Sequence, residues 1–167
     1  MPATTDTLIV GAGQAGLALS RRLAAAGVDH VLLERGRVGE RWRSERWDAL
    51  RLLTPSWLNV LPGATVDGDP DGFAGARAFA GRLDAYARSF GAPVAERAAV
   101  RALEPARGGY RARTTAGAWR ARTVVIATGD SDVPRIPAAA RDAPRGLRQV
   151  AAAAYRSPAA LPPGGVL

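Results

Sequence analysis

The sequence predicts an α/β domain: a doubly wound, mostly parallel core sheet with an inserted antiparallel β-meander. Three observations predict it. A glycine-rich turn, Gly11-Ala12-Gly13-Gln14-Ala15-Gly16, stands between an apolar run at residues 7–10 and a helix-like stretch. From Pro93 onward, short runs at 100–103, 110–115 and 118–122 are separated by Gly108-Gly109 and Ala116-Gly117, the punctuation of antiparallel strands. Residues 123–127 then form a continuous apolar run suited to a buried parallel position.

Taken in order, residues 7–10 are the first strand and feed the glycine turn. Gly11 permits a tight strand-to-helix turn, Gly13 leaves room for a pyrophosphate to approach the backbone, and Gly16 allows close helix–strand packing. The helix over 17–26 offers the unpaired N–H groups and positive dipole end that bind phosphate. Residues 30–33 read as the second strand. Glu34 stands at its end, where a carboxylate can accept hydrogen bonds from both hydroxyls of a ribose. The pattern predicts a dinucleotide site.

Residues 36–72 carry no sustained periodicity and are marked by Thr54-Pro55, Leu61-Pro62-Gly63 and Asp67-Gly-Asp-Pro-Asp-Gly72. Irregular stretches of this length are uncommon in a compact domain and usually carry function. Phe73, Ala76, Ala80, Leu83, Ala87 and Phe90 then recur at spacings of three and four, an amphipathic helix facing a core. Gly75 and Gly81 weaken it by about 1 kcal/mol each relative to Ala, so packing must hold it. The region after 129 is marked by six prolines.

Composition narrows the chemistry. At 167 residues with 47% hydrophobic content, the chain is long enough to bury a core. It has no cysteine and a single histidine, His30, which the reading places at the solvent end of its strand. Disulfide and cysteine-ligated metal sites are excluded within these residues, and a Ser-His-Asp triad has almost no material. No segment reaches the ~20 apolar residues that span a bilayer, and the first residues lack a basic leader, so a cytoplasmic protein without membrane partners is expected. The net charge is +8, and all 23 basic residues are arginine. Arg35, Arg37, Arg41, Arg43, Arg46 and Arg51 cluster with Trp42 and Trp47 between them, which raises nucleic acid as a ligand. The cluster directly follows the dinucleotide strand, where arginines meet an anionic cofactor, and no nucleic-acid partner is expected.

The glycine motif, Glu34-Arg35, the run Gly39-Glu-Arg-Trp-Arg43 and the run Arg46-Trp-Asp-Ala-Leu-Arg-Leu-Leu-Thr-Pro55 together resemble the flavin-containing monooxygenases, which include Baeyer–Villiger and N-hydroxylating enzymes. Tyr86-Ala-Arg-Ser-Phe-Gly91, Val124-Val-Ile-Ala-Thr-Gly129, Pro134-Arg-Ile-Pro137 and Tyr155-Arg156 continue the likeness, which runs over about residues 8–167. The stretch from Trp42 to Pro55 is its most specific part.

The resemblance implies a Rossmann-like FAD-binding domain at 1–135 and a linker at 136–167 toward an absent NADPH-binding domain, an incomplete flavoprotein of the kind that binds two dinucleotides. It implies that Gly11, Gly13 and Gly16, with Ala12, Gln14 and Ala15 between them, cradle the FAD pyrophosphate. It further implies that Glu34 and its neighbour Arg35 bind the adenosine side, and that Val100 offers its backbone to the adenine. By the same likeness Trp42 and Thr54 approach the flavin side, and Ala127, Thr128 and Gly129 line the cofactor. Read from the residues alone, Trp42 and Trp47 are equally buried loop anchors, Arg41, Arg43 and Arg46 solvated charge, and Thr54 a turn residue. In the family NADPH reduces FAD, and the reduced flavin with oxygen oxygenates a small-molecule substrate. The chemistry belongs to the cofactor, and no catalytic side chain is expected here.

Two departures from the family pattern stand out. Residues 151–154 are alanines where a His-Ser pair often precedes the Tyr-Arg, and no second Gly-x-Gly-x-x-Gly follows. Val166-Leu167 is expected to begin the strand leading to that second motif, which makes the chain the N-terminal part of a longer enzyme or a truncated gene product, without NADPH turnover of its own. The alternatives are the FAD domain of a pyridine nucleotide–disulfide reductase and a non-enzymatic nucleotide-binding remnant.

Overall fold

The computed structural model describes residues 2–130 and 133–166. Strand β1 (Ala3–Val10) leads through the glycine turn into helix α1 (Gln14–Ala25) and strand β2 (His30–Leu33). A short helix α2 (Glu40–Ser44) and a single 3₁₀ turn (Ser56–Asn59) interrupt the irregular stretch before helix α3 (Ala76–Ser89). The two-residue strand β3 (Val94–Ala95) precedes β4 (Val100–Ala106), β5 (Gly109–Thr114) and β6 (Gly117–Ile126).

All six strands form one sheet in the order β3-β2-β1-β6-β5-β4. β1 pairs in parallel with β2, Thr7 opposite His30 and Val10 opposite Leu33, and on its other side with β6, Val10 opposite Ile126. β6 pairs antiparallel with β5, and β5 with β4. The parallel core and the antiparallel meander are thus as expected, with one difference. The runs at 118–122 and 123–127 are a single strand, because no turn residue separates Arg122 from Thr123. β6 pairs with β1 from Trp119 to Ile126 and with β5 from Gly117 to Ala121, so the meander extends the core sheet.

The period of two in β1 and β2 distributes side chains to two cores. Ile9 and Leu32 pack with Leu17 of α1 and with Phe79 and Leu83 of α3. Leu8, Val31 and Leu33 pack on the opposite face with Ala112 and Ala121 of the meander. Large side chains buried this fully contribute about 1.5–3 kcal/mol each. Of the expected α3 stripe, Ala76, Ala80, Leu83 and Ala87 face inward, joined by Phe79 and Tyr86, whereas Phe73 lies before the helix and is exposed and Phe90 is half-buried at its end.

Three expectations are corrected. His30 is buried, not solvent-facing, since its Nε2 meets Ser20 Oγ of α1 at 2.8 Å and its Nδ1 meets the Val28 carbonyl at 2.8 Å. The run at 123–127 is not fully buried: β5 begins at Gly109 and reaches β6 no further along than Ala121, which leaves Ile126 61% exposed. Val166 is exposed and belongs to no strand, and Leu167 lies outside the described residues. Beyond Val133 the regular structure is two 3₁₀ turns, Ala138–Arg141 and Pro158–Ala160.

Candidate dinucleotide-binding cleft

The cleft opens where β1 ends and α1 begins. Gly11 adopts φ +110°, and a Cβ there would meet the Ala127 carbonyl oxygen at 2.5 Å. A Cβ on Gly16 would meet the Gly11 carbonyl oxygen at 2.1 Å, so only glycine lets α1 sit this close to the turn. Gly13 is the opposite case. Its φ is −89°, it caps α1, and a Cβ would meet nothing within 4 Å. The space in front of Gly13 is open, as a phosphate cradle requires. The first amides of α1 have no intrahelical acceptor and face this space from Gln14 onward.

Glu34 is buried at the β2 end of the cleft. One carboxylate oxygen accepts the Ala12 N–H at 2.9 Å and the other the Gly36 N–H at 2.9 Å. It therefore ties the glycine turn to the start of the irregular stretch, and each carboxylate oxygen retains further acceptor capacity. The Ala98 N–H donates to the Glu34 carbonyl at 2.8 Å, which seats the start of β4 beside it. Val100 and Arg101 then line the same corner.

The cavity, of about 1060 Å³, is lined by Gly11, Gly13, Gln14, Ala15, Glu34, Arg35, Trp42, Val100, Ala127, Thr128 and Gly129 among the expected residues. This exceeds the ~300–1,000 Å³ of ordinary small-ligand clefts and suits an extended ligand. Ala12 and Gly16 shape the turn from behind, Ala12 fully buried with its N–H turned to Glu34. Thr54 is the exception: it lies away from the cavity wall, its hydroxyl donating to Asn59 Oδ1 at 3.0 Å while Asn59 Nδ2 donates back to the carbonyls of Thr54 and Pro55. It is a turn residue.

Trp42 is half-buried and stands between the core and the cavity. It meets the Phe79 ring edge-on at 4.9 Å, and it lines the cavity with the Arg46 guanidinium 5.0 Å over its ring. Arg35 and Arg41 converge on Glu45 at 2.6 and 3.1 Å. With Arg46 and Arg101 they bring four guanidinium groups to the cavity wall beside Glu34, Glu40 and Asp130, and Glu45 pairs with two of the four. Sequence reasoning did not anticipate Val60, Leu61 and Pro62 as a wall of the same cavity. Leu61-Pro62-Gly63 was legible as a loop marker only, because Tyr86 of α3 holds it there by donating to the Pro62 carbonyl at 2.7 Å, a tie between residues distant in sequence. Burial raises the Tyr86 phenol above its ordinary value.

Among the described residues no cluster of three or more His, Asp or Glu side chains could hold a metal, and no helix is long and apolar enough to cross a membrane. The arrangement is an open cleft whose walls combine the glycine turn, arginine side chains and apolar side chains.

Residues 8–149 match the family model described as pyridine nucleotide-disulphide oxidoreductase. The chain belongs to that family. It is 34% identical over 163 residues to an uncharacterized CzcO-like oxidoreductase of Geobacillus kaustophilus, covering 97% of this chain and 47% of that protein. It is 35% identical over 148 residues to indole-3-pyruvate monooxygenase YUCCA4 of Oryza sativa subsp. japonica, covering 78% of this chain and 34% of that protein. A flavin-containing monooxygenase from Stenotrophomonas maltophilia superposes with a TM-score of 0.71 at 24% identity, over 81% of this chain and 41% of that one. The Rossmann-like α/β fold with its antiparallel extension is thus shared with flavin-containing monooxygenases. The chain spans half or less of the length of the curated relatives it matches.

Proposed function

We propose that this chain is the FAD-binding part of an NAD(P)H-dependent flavin monooxygenase or oxidoreductase. The observation that carries the reading is the pairing of the glycine turn, open at Gly13, with a buried Glu34 in one large arginine-lined cleft. Relatives on either side, one named an oxidoreductase and one a monooxygenase, support it. The residues present fit the cofactor: α1 amides and Gly13 for the pyrophosphate, Glu34 for the ribose, Val100 for the adenine, Trp42 and residues 127–129 for the remainder. Bound FAD supplies the redox centre. This chain supplies binding and orientation, and the apolar wall of Trp42, Val60 and Leu61 excludes water from one side of the cleft.

Residues 136–167 are read as the linker toward a second, NADPH-binding domain, with a small-molecule substrate bound by the whole protein. A disulphide reductase with its reactive pair inside this domain is disfavoured, since Arg41-Trp42-Arg43 stands just past the second strand and the 167 residues hold no cysteine. With one Gly-x-Gly-x-x-Gly motif, the chain alone holds one dinucleotide. Hydride transfer needs two in contact, and proximity supplies about 7–11 kcal/mol of barrier reduction, so no enzymatic NADPH oxidation by this chain alone is expected at 340 nm.

The test is titration of the purified chain with FAD and with NADPH. FAD binds more tightly, and Glu34→Ala weakens it by about 1.5–3 kcal/mol, the worth of hydrogen bonds to a charged group. Tighter binding of NADPH overturns the reading.

A further inference from the structure

We infer that Arg156, far along the chain from the cleft, is a positioning residue that holds the Trp42–Arg46 wall against the ligand; the inference rests on the FAD reading above. Residues 151–155 form a turn, with the Tyr155 N–H donating to the Ala151 carbonyl at 3.1 Å, and this turn delivers Arg156 to the irregular segment that follows α2. There Arg156 is clamped from two sides. Its guanidinium Nη1 donates to the Arg46 carbonyl at 2.6 Å, and its own carbonyl accepts the Asp48 N–H at 2.9 Å. The pair of bonds fixes the backbone of residues 46–48, 110 positions away in sequence.

The consequence reaches the cavity through Arg46. Its guanidinium stands 5.0 Å over the Trp42 ring, and both side chains line the cavity. Trp42 is fixed on its other side by Phe79. Helix α2 is only five residues long, caps no side-chain bond, and buries none of its residues, so it cannot hold Arg46 in place by packing. The anchor comes from the other end of the chain. The Glu34–Val100 corner has its own ties, to Ala12, Gly36 and Ala98, none of which involves Arg156. Arg156 therefore acts on one wall of the cleft and leaves the glycine turn and the Glu34 corner alone.

ADP reports on the glycine turn and the Glu34 corner, whereas FAD occupies the whole cleft. Calorimetric titration of both ligands against wild type, R156M and R156K separates the two. R156M weakens FAD by about tenfold, the order expected for losing a charge-assisted hydrogen bond, and leaves ADP within about twofold. R156K, which keeps one charged donor, recovers most of the FAD affinity. Hydrogen exchange at the Asp48 amide quickens in R156M with or without ligand, and far-UV circular dichroism is unchanged. Equal weakening of FAD and ADP by R156M means a general structural role and overturns the inference, as does an unchanged FAD affinity. A wild-type chain that binds ADP and NADPH but not FAD overturns the FAD reading itself, which the Asp48 exchange result then distinguishes from failure of the clamp.

Discussion

Two of the regions that line the cleft differ in what holds them. The β1–α1–β2 unit is held by packing: Ile9, Leu17 and Leu32 are fully buried, and backbone stands where a side chain on Gly11 or Gly16 would go. The stretch from Gly36 to Gly75 puts Val38, Leu52 and Leu61 into the core and is otherwise held by polar ties. Tyr86 bonds the Pro62 carbonyl, Ser56 bonds Gly72, Asn59 closes on Thr54, and Arg156 grips Arg46. Large apolar side chains there remain in water, with Leu53 at 96% exposure and Trp57 and Leu58 above half. The first region carries the glycine turn proposed above as the phosphate cradle. The second, which carries Trp42 and Val60, sets the shape of the opposite wall and has the smaller share of buried contacts, the condition under which local opening is easiest.

The largest expected effect breaks this contrast at the packed region. Gly16→Val puts side-chain atoms onto the Gly11 carbonyl oxygen, a backbone atom that cannot move aside, and the cost is at or above the ~3 kcal/mol upper range of overpacking. Against a total stability of about 5–15 kcal/mol, little folded protein remains, as thermal melts by circular dichroism will show. Gly13→Val, three residues away, has open space and an ordinary φ. It changes stability by less than about 1 kcal/mol and abolishes FAD binding. A Gly13→Val variant that binds FAD normally would show that this turn is not the phosphate cradle.

The same contrast explains what was legible in the sequence. The glycine turn and the α3 stripe show as sequence patterns over a turn or two, and the structure agrees at Gly11, Gly16, Ala80 and Leu83, though the Ala127 carbonyl beside Gly11 comes from far along the chain. His30 was misplaced because its partner, Ser20, lies on the preceding helix and no local rule pairs them. β3 went unseen because two residues carry no alternation, its place being set by pairing of Val94 and Ala95 with Leu32 and Leu33. The fusion of two expected strands into β6 was readable, since Arg122-Thr123 offers neither glycine nor proline for a turn. The wall at Val60–Pro62 was not, because its position depends on Tyr86.

That wall gives a prediction of middle size. Tyr86→Phe removes the bond to the Pro62 carbonyl while keeping the ring against Phe90, whose centroid lies 5.2 Å away. The loss is about 0.5–1.5 kcal/mol, read as a lowered midpoint in urea with an unchanged slope. If the polar ties hold the second region, hydrogen exchange quickens at residues 61–64 and stays constant in α1. Equal quickening in both regions would mean that they open as one unit and that the contrast drawn here is wrong.

The smallest effect concerns the junction between the two regions, where Glu40 opens α2. Its carboxylate accepts the Arg37 N–H at 3.1 Å and Arg37 Nε at 2.9 Å, and its side chain fills the space beside Gly36 where a Cβ would stand. The hydrogen bond from the Arg37 side chain is the main cause holding the Glu40 carboxyl below its ordinary value of 4.5. A carboxylate whose pKa is lowered by folding contributes stability that is complete above that ordinary value and disappears as pH falls through the folded one. Glu40→Gln removes this dependence. The stability difference between wild type and Glu40→Gln is therefore constant from neutral pH down to the ordinary carboxyl range and shrinks below it. With Arg37 more than half exposed, solvent screening keeps the difference under about 1 kcal/mol. Chemical denaturation at a series of pH values measures it. A difference that grows on acidification would place the Glu40 carboxyl above its ordinary value in the folded chain, and the ion pair at the mouth of the cleft would then be absent in solution.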